Sequence, residues 1–183
     1  MIRSQRGFTL VELMVVVGII AVLAGLMFGI APRPYDANAG VIAEQVNSTF
    51  IYARTRAVST RKIHTVEFRE DTENGQTFQV VILWAATNRG MAVPSPLPAD
   101  YWQLVDYKRV SRNVTIWSAE PSPVTTTGAT PAQDLNLPYT VMFKPDGSAS
   151  GSTIYITDAA GAKKHHRVLV YPVTGSSYAR EVW

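Results

Sequence analysis

The chain has 183 residues, 46% hydrophobic and 17% charged, which suits one compact domain plus one extra element and excludes a disordered tail and a multi-span membrane protein. Arg3 and Arg6 are two of its 17 basic residues, and beyond the first seven positions 15 basic residues face 14 acidic ones, so the global charge says little about partners. The absence of cysteine excludes a structural disulfide, a thiolate zinc site and a cysteine nucleophile.

Residues 1–7 (MIRSQRG) are short, polar and positive. From Phe8 to Ile30 the chain is apolar apart from Glu12. As a helix this stretch is roughly 35 Å long, enough to cross the hydrocarbon core of a bilayer. Arg3 and Arg6 on one side, against Arg33 alone on the other, predict a cytoplasmic N-terminus and a C-terminal bulk outside the inner membrane. A secretory signal peptide would have a shorter apolar core ending at a small-residue cleavage site. Here the run is longer, and its polar boundary reads Arg6-Gly7-Phe8-Thr9-Leu10-Val11-Glu12.

Glu12 is the informative residue. A carboxylate in an apolar span costs about 2–3 kcal/mol near the bilayer centre and less toward its edge. No Lys, Arg or His lies within the span. Cleavage after Gly7 would give Phe8 a free amino group, and another subunit's Phe8 amine would then suit Glu12 when helices pack side by side. The alternative is an interfacial acid that snorkels to the headgroups. Ala21, Gly25 and Gly29 recur every four residues on one helix face and would allow close helix approach. Pro32 and Pro34 predict an interruption or kink.

Gly7-Phe8-Thr9-Leu10-Val11-Glu12 resembles the processing site of type IV prepilins and type II secretion pseudopilins. In that family a membrane-embedded aspartyl peptidase cuts after the glycine and methylates the new N-terminus. The resemblance implies a leader at 1–7, an assembly helix at 8–30, Gly7 as the last leader residue, Phe8 as the methylated terminus and Glu12 as the acid needed for assembly. It also implies partners: other pilins or pseudopilins in a filament, the prepilin peptidase and an inner-membrane assembly platform.

Beyond the prolines, the segment 31–61 is expected to carry an amphipathic helix, with Ile42, Val46, Phe50, Ala53 and Ala57 as its apolar stripe. After Arg61 the period becomes that of strands. Runs at 63–69 and 78–84 flank Asn74-Gly75, a hairpin signal. Further strands are expected at 102–108, 113–117, 139–143, 153–157 and 166–171, with 93–100 and 118–138 as loops. The expected fold is α+β, one long N-terminal helix packed on an antiparallel sheet formed by 62–183.

This body resembles the branch holding the minor pseudopilin H of type II secretion and related minor pilins. The resemblance is carried by Tyr52-Ala53-Arg54 with Ala57, by Phe143-Lys144-Pro145-Asp146-Gly147, and by Val168-Leu169-Val170 leading toward Gly175. It implies a low-abundance structural subunit at the filament tip or in initiation of a secretion pseudopilus or type IV pilus. One departure stands out: four residues, Ser176 to Ala179, separate the final glycine from Arg180.

Catalysis finds no support in the sequence. His165 and His166 are adjacent on an expected strand and point to opposite faces, and His64 lies on another strand. The Gly147–Gly151 stretch carries Ala149 where a nucleophile elbow needs serine. No metal or cofactor is expected. The competing function is DNA capture by a cluster of Lys163, Lys164 and Arg167 with Arg180 nearby, through sequence-independent phosphate contacts. A solvated basic hairpin accounts for the same residues.

Overall fold

The computed structural model describes residues 10–30, 38–87, 101–126, 137–158 and 165–181. The chain divides into two compact units, Met1–Pro34 and Tyr35–Trp183. The first contains helix α1, Leu10–Ile30. Expectations for the leader and for Pro32 and Pro34 lie outside the described residues.

The second unit opens with helix α2, Ala39–Thr60. Asn38 is extended at φ −83° and accepts a hydrogen bond from Val41 N at 3.0 Å, satisfying one of the N–H groups that a helix start leaves open. A second acceptor arrives from far along the chain, Asp158 Oδ1, which takes the Ala39 N–H at 2.8 Å. Arg61 ends the helix in the left-handed region at φ 53°.

Eight strands follow: β1 His64–Glu73, β2 Gln76–Ala86, β3 Trp102–Arg109, β4 Val114–Glu120, β5 Tyr139–Phe143, β6 Ser152–Asp158, β7 His165–Val170 and β8 Ser177–Glu181. Asn74 and Gly75, both at positive φ (53° and 75°), form the two-residue turn between β1 and β2, as the Asn-Gly pair predicts. The expected single sheet is in fact two, ordered β3-β2-β1-β5 and β4-β6-β7-β8, with every pairing antiparallel. The break comes at β4, which pairs with β6 and leaves the first sheet after β3.

The predicted stripe of α2 is buried: Ile42, Val46, Phe50, Ala53 and Ala57, joined by Ala39 and Ala43. It meets alternate residues of both sheets, Val66, Phe68, Val81 and Leu83 from the first and Ile154, Ile156, Val168 and Val170 from the second. The Phe50 ring sits 6.0 Å from Phe68, edge-on, and 5.7 Å from Phe143.

A side chain also joins the sheets. Gln79 on β2 donates from Nε2 to the Ile116 carbonyl at 3.1 Å, and Ile116 N donates back to Gln79 Oε1 at 2.7 Å. This exchange copies one rung of a β-ladder, and it falls where the pairing of β4 with β6 shifts register between Ile116 and Ser118.

Candidate functional site

Helix α1 carries the first candidate site. Its side chains are described from Leu10 to Leu23, and the large apolar ones, such as Leu10, Val11, Leu13 and Met14, are exposed on every side. No face is reserved for water, so the helix is built for an apolar environment. Glu12, in the first turn, is the one acidic residue of this surface. Ala21 is exposed on the helix, and Gly25 and Gly29 lie further along it. Gly7 and Phe8 lie outside the described residues. Among the described residues no helix is long and apolar enough to cross a membrane.

Of the basic cluster, Arg167 and Arg180 are described. Lys163 and Lys164 lie outside the described residues. Arg167 is only 2% exposed and turns away from solvent. Its Nη1 donates to the Thr126 carbonyl at 2.8 Å and its Nη2 to that of Thr125 at 3.4 Å. The guanidinium is therefore a staple for the strap at 121–126, not a phosphate contact. The strap has further anchors on β6: Val124 N donates to Thr153 Oγ1 at 2.7 Å, and that hydroxyl donates to Ser122 O at 2.8 Å. On β6, burial and the Glu120 carboxylate push the Tyr155 hydroxyl above its ordinary pKa. Arg180 alone among the four candidates is described and exposed, on β8 opposite Arg167. Sequence patterning marks a strand arginine as solvated; the carbonyls arriving from 41 and 42 residues away reverse that here.

The three short stretches behind the resemblance of the body come together in space. Arg54 Nε on α2 donates to the Gly147 carbonyl at 3.4 Å. Gly147 (φ 86°) sits in the turn after β5, where Asp146 Oδ1 accepts from Ser148 Oγ at 2.6 Å and from Ser148 N at 2.9 Å. These bonds, the hydroxyl foremost, hold the Asp146 carboxyl below its ordinary pKa. Gly175 (φ 59°) presses on the same carbonyl, and an added Cβ there would collide with Gly147 O and lie 3.2 Å from Arg54 Cδ. The glycine does lead into an arginine-bearing strand. β8, Ser177–Glu181, contains Arg180, so the four-residue departure in the sequence shifts the arginine along the strand without removing the strand.

Comparison with known proteins fits this geometry. A model of the prokaryotic N-terminal methylation motif matches residues 2–28, and that of the type II transport protein GspH matches residues 43–174. Among solved structures, the minor pseudopilin EpsH from the Type 2 Secretion System of Vibrio cholerae superposes with a TM-score of 0.51. It is 13% identical, with 79% of this chain and 97% of that one covered, a likeness of fold. No curated protein sequence matches the chain.

An apolar N-terminal helix ahead of a helix clasped by two antiparallel sheets defines the class as pseudopilin. The chain belongs to the type II transport protein GspH family, as a GspH-like minor pseudopilin of type II secretion. That family is structural rather than catalytic, is anchored in the membrane and assembles with other pseudopilins into a filament.

Proposed function

We infer that this chain is made as a precursor, cut after Gly7 by the prepilin peptidase and methylated on the Phe8 amine. Phe8 to Ile30 then crosses the inner membrane once, with the N-terminus cytoplasmic and residues from Tyr35 onward on the periplasmic side, until an inner-membrane assembly platform draws the subunit into the pseudopilus. The observation that supports this reading is a helix apolar on all sides with one carboxylate in its first turn, inside a matched methylation motif. Such a helix is stable in lipid and equally in a bundle of like helices. Glu12 receives the Phe8 amine of a neighbouring subunit and sets the axial register, an interaction strengthened by the apolar surroundings. Ala21, Gly25 and Gly29 let adjacent helices approach closely. The low-abundance subunit acts at the tip or in initiation.

Mass spectrometry of the mature chain should find an N-methylated phenylalanine at its start, and Glu12→Leu should be processed normally yet fail to enter filaments. A mature chain beginning at any other residue, or normal incorporation of Glu12→Leu, overturns the reading. The DNA-uptake alternative loses Arg167 to the strap and draws no support from the described residues.

A further inference from the structure

A groove of about 410 Å³ opens where the end of α2 meets the β1 start and the edge strand β3. Its cationic side is Arg56 and Lys62, and its apolar side includes Tyr52 and Leu104, which are 46% and 52% exposed. Among the described residues no aspartate or glutamate lines it. The Arg56 guanidinium lies 5.7 Å from the centre of the Tyr52 ring, so its charge is carried on an aromatic face rather than against a carboxylate. At the floor, burial depresses the His64 pKa, and the charges of Arg56 and Lys62 push it down further. His64 Nδ1 lies 3.2 Å from the Lys62 carbonyl. The site is thus a pair of cations beside exposed apolar surface, over a buried histidine.

We propose that this groove is a docking site for an acidic peptide segment of a partner protein, with carboxylates on Arg56 and Lys62 and an adjacent apolar side chain on Tyr52 and Leu104. The charge complementarity selects the anion, and the apolar wall selects protein over nucleic acid. Sequence-independent DNA binding gains its strength from many phosphate contacts along a basic stripe. Here there are two cations, in a chain that is almost neutral beyond its first seven residues. The inference rests on the second unit alone and does not depend on how the N-terminus is processed.

The test uses the full chain in nonionic detergent and fluorescence anisotropy of three labelled probes: the peptide Gly-Glu-Leu-Glu-Glu-Gly, its counterpart with glutamine for each glutamate, and a twenty-residue oligothymidylate. The glutamate peptide should bind about tenfold more tightly than the glutamine peptide, and its affinity should fall as salt is raised. Arg56→Gln and Lys62→Gln should each weaken it about threefold, and the double variant about tenfold. Arg112→Gln, remote from the groove, should change nothing. Equal binding of the two peptides, an unchanged affinity in the correctly folded double variant, or tighter binding of the oligothymidylate than of the glutamate peptide overturns the proposal. A subunit that fails here but still matures at Phe8 and assembles refutes the groove alone.

Discussion

Gln79 and Ile116 exchange two hydrogen bonds, at 3.1 and 2.7 Å, so that a side-chain amide serves as the backbone of a missing strand between the two sheets. The arrangement needs one donor and one acceptor on a single planar group, which only an amide of this length supplies. Gln79→Glu keeps the acceptor and turns the donor into a second oxygen facing the Ile116 carbonyl. Urea unfolding should show a loss of about 1–3 kcal/mol. Gln79→Leu should lose a comparable amount by stranding both backbone groups, and a loss under about 0.5 kcal/mol in both variants would mean that water replaces the amide there.

Gly147 and Gly175 both hold positive φ, yet their surroundings differ. At Gly147 an added Cβ meets only Arg54 Nη2 and Val58 Cγ2 at 3.7 Å, ordinary contact distance. Gly147→Ala should therefore cost about 1 kcal/mol, the backbone term alone. Gly175→Ala adds a collision with the Gly147 carbonyl, which belongs to a tightly bonded turn and cannot retreat. Its cost should be roughly 2–4 kcal/mol. Equal thermal midpoints for the two variants would contradict this ranking.

Arg167 should matter for stability and local protection. Arg167→Met removes the donors to Thr125 and Thr126 and should cost about 1–3 kcal/mol. Limited proteolysis should cut within 121–126 faster than in the parent chain, because the strap loses its far anchor. Arg167→Lys should recover only part of the loss, since an ammonium lacks the planar fork that reaches two carbonyls at once. Unaltered proteolysis of Arg167→Met would show that the β6 contacts hold the strap unaided.

His64 predicts a pH dependence with a definite sign. Its folded-state pKa lies below the ordinary 6.5, first because it is buried and then because Arg56 and Lys62 are near. As pH falls through about 6.5 the unfolded chain takes up a proton that the native chain refuses, so stability declines. The decline levels off below the folded-state pKa, where both states are protonated. Unfolding midpoints at pH 7.5, 6.5 and 5.5 should therefore decrease, and His64→Gln should flatten part of that slope. A His64→Gln variant with the parent's full slope would assign the effect to other groups.

Much of this architecture was legible residue by residue. The spacing of Ile42, Val46, Phe50, Ala53 and Ala57 marks the buried face of α2, and Asn74-Gly75 marks the first hairpin, because both signals are local and periodic. β8 carries no strand signal of its own, because Ser177-Tyr178-Ala179-Arg180-Glu181 is short and largely polar; it is held by pairing with β7 and by Ser177 Oγ donating to Asn47 Oδ1 at 2.7 Å. The division into two sheets was hidden for a similar reason. Strand propensity does not encode which neighbour a strand chooses, and β4 chooses β6 across an intervening strap and β5. In the basic cluster, the sequence groups Arg167 with the lysines by proximity, whereas its burial is decided by carbonyls distant along the chain. At the N-terminus, Glu12 stands out in the sequence because an acid in an apolar run is costly, an argument that needs no tertiary information.

Ala39, Ala43, Ala53 and Ala57 bring α2 to methyl distance from its surroundings, and all four are wholly enclosed. A helix gripped from two directions through such small side chains has no slack: one extra carbon must lift one sheet or the other. Loosening on either flank should then reach the opposite flank through the shared helix, and the two sheets should unfold together. For a subunit of a family that assembles into filaments, this makes the body from Ala39 onward one cooperative block.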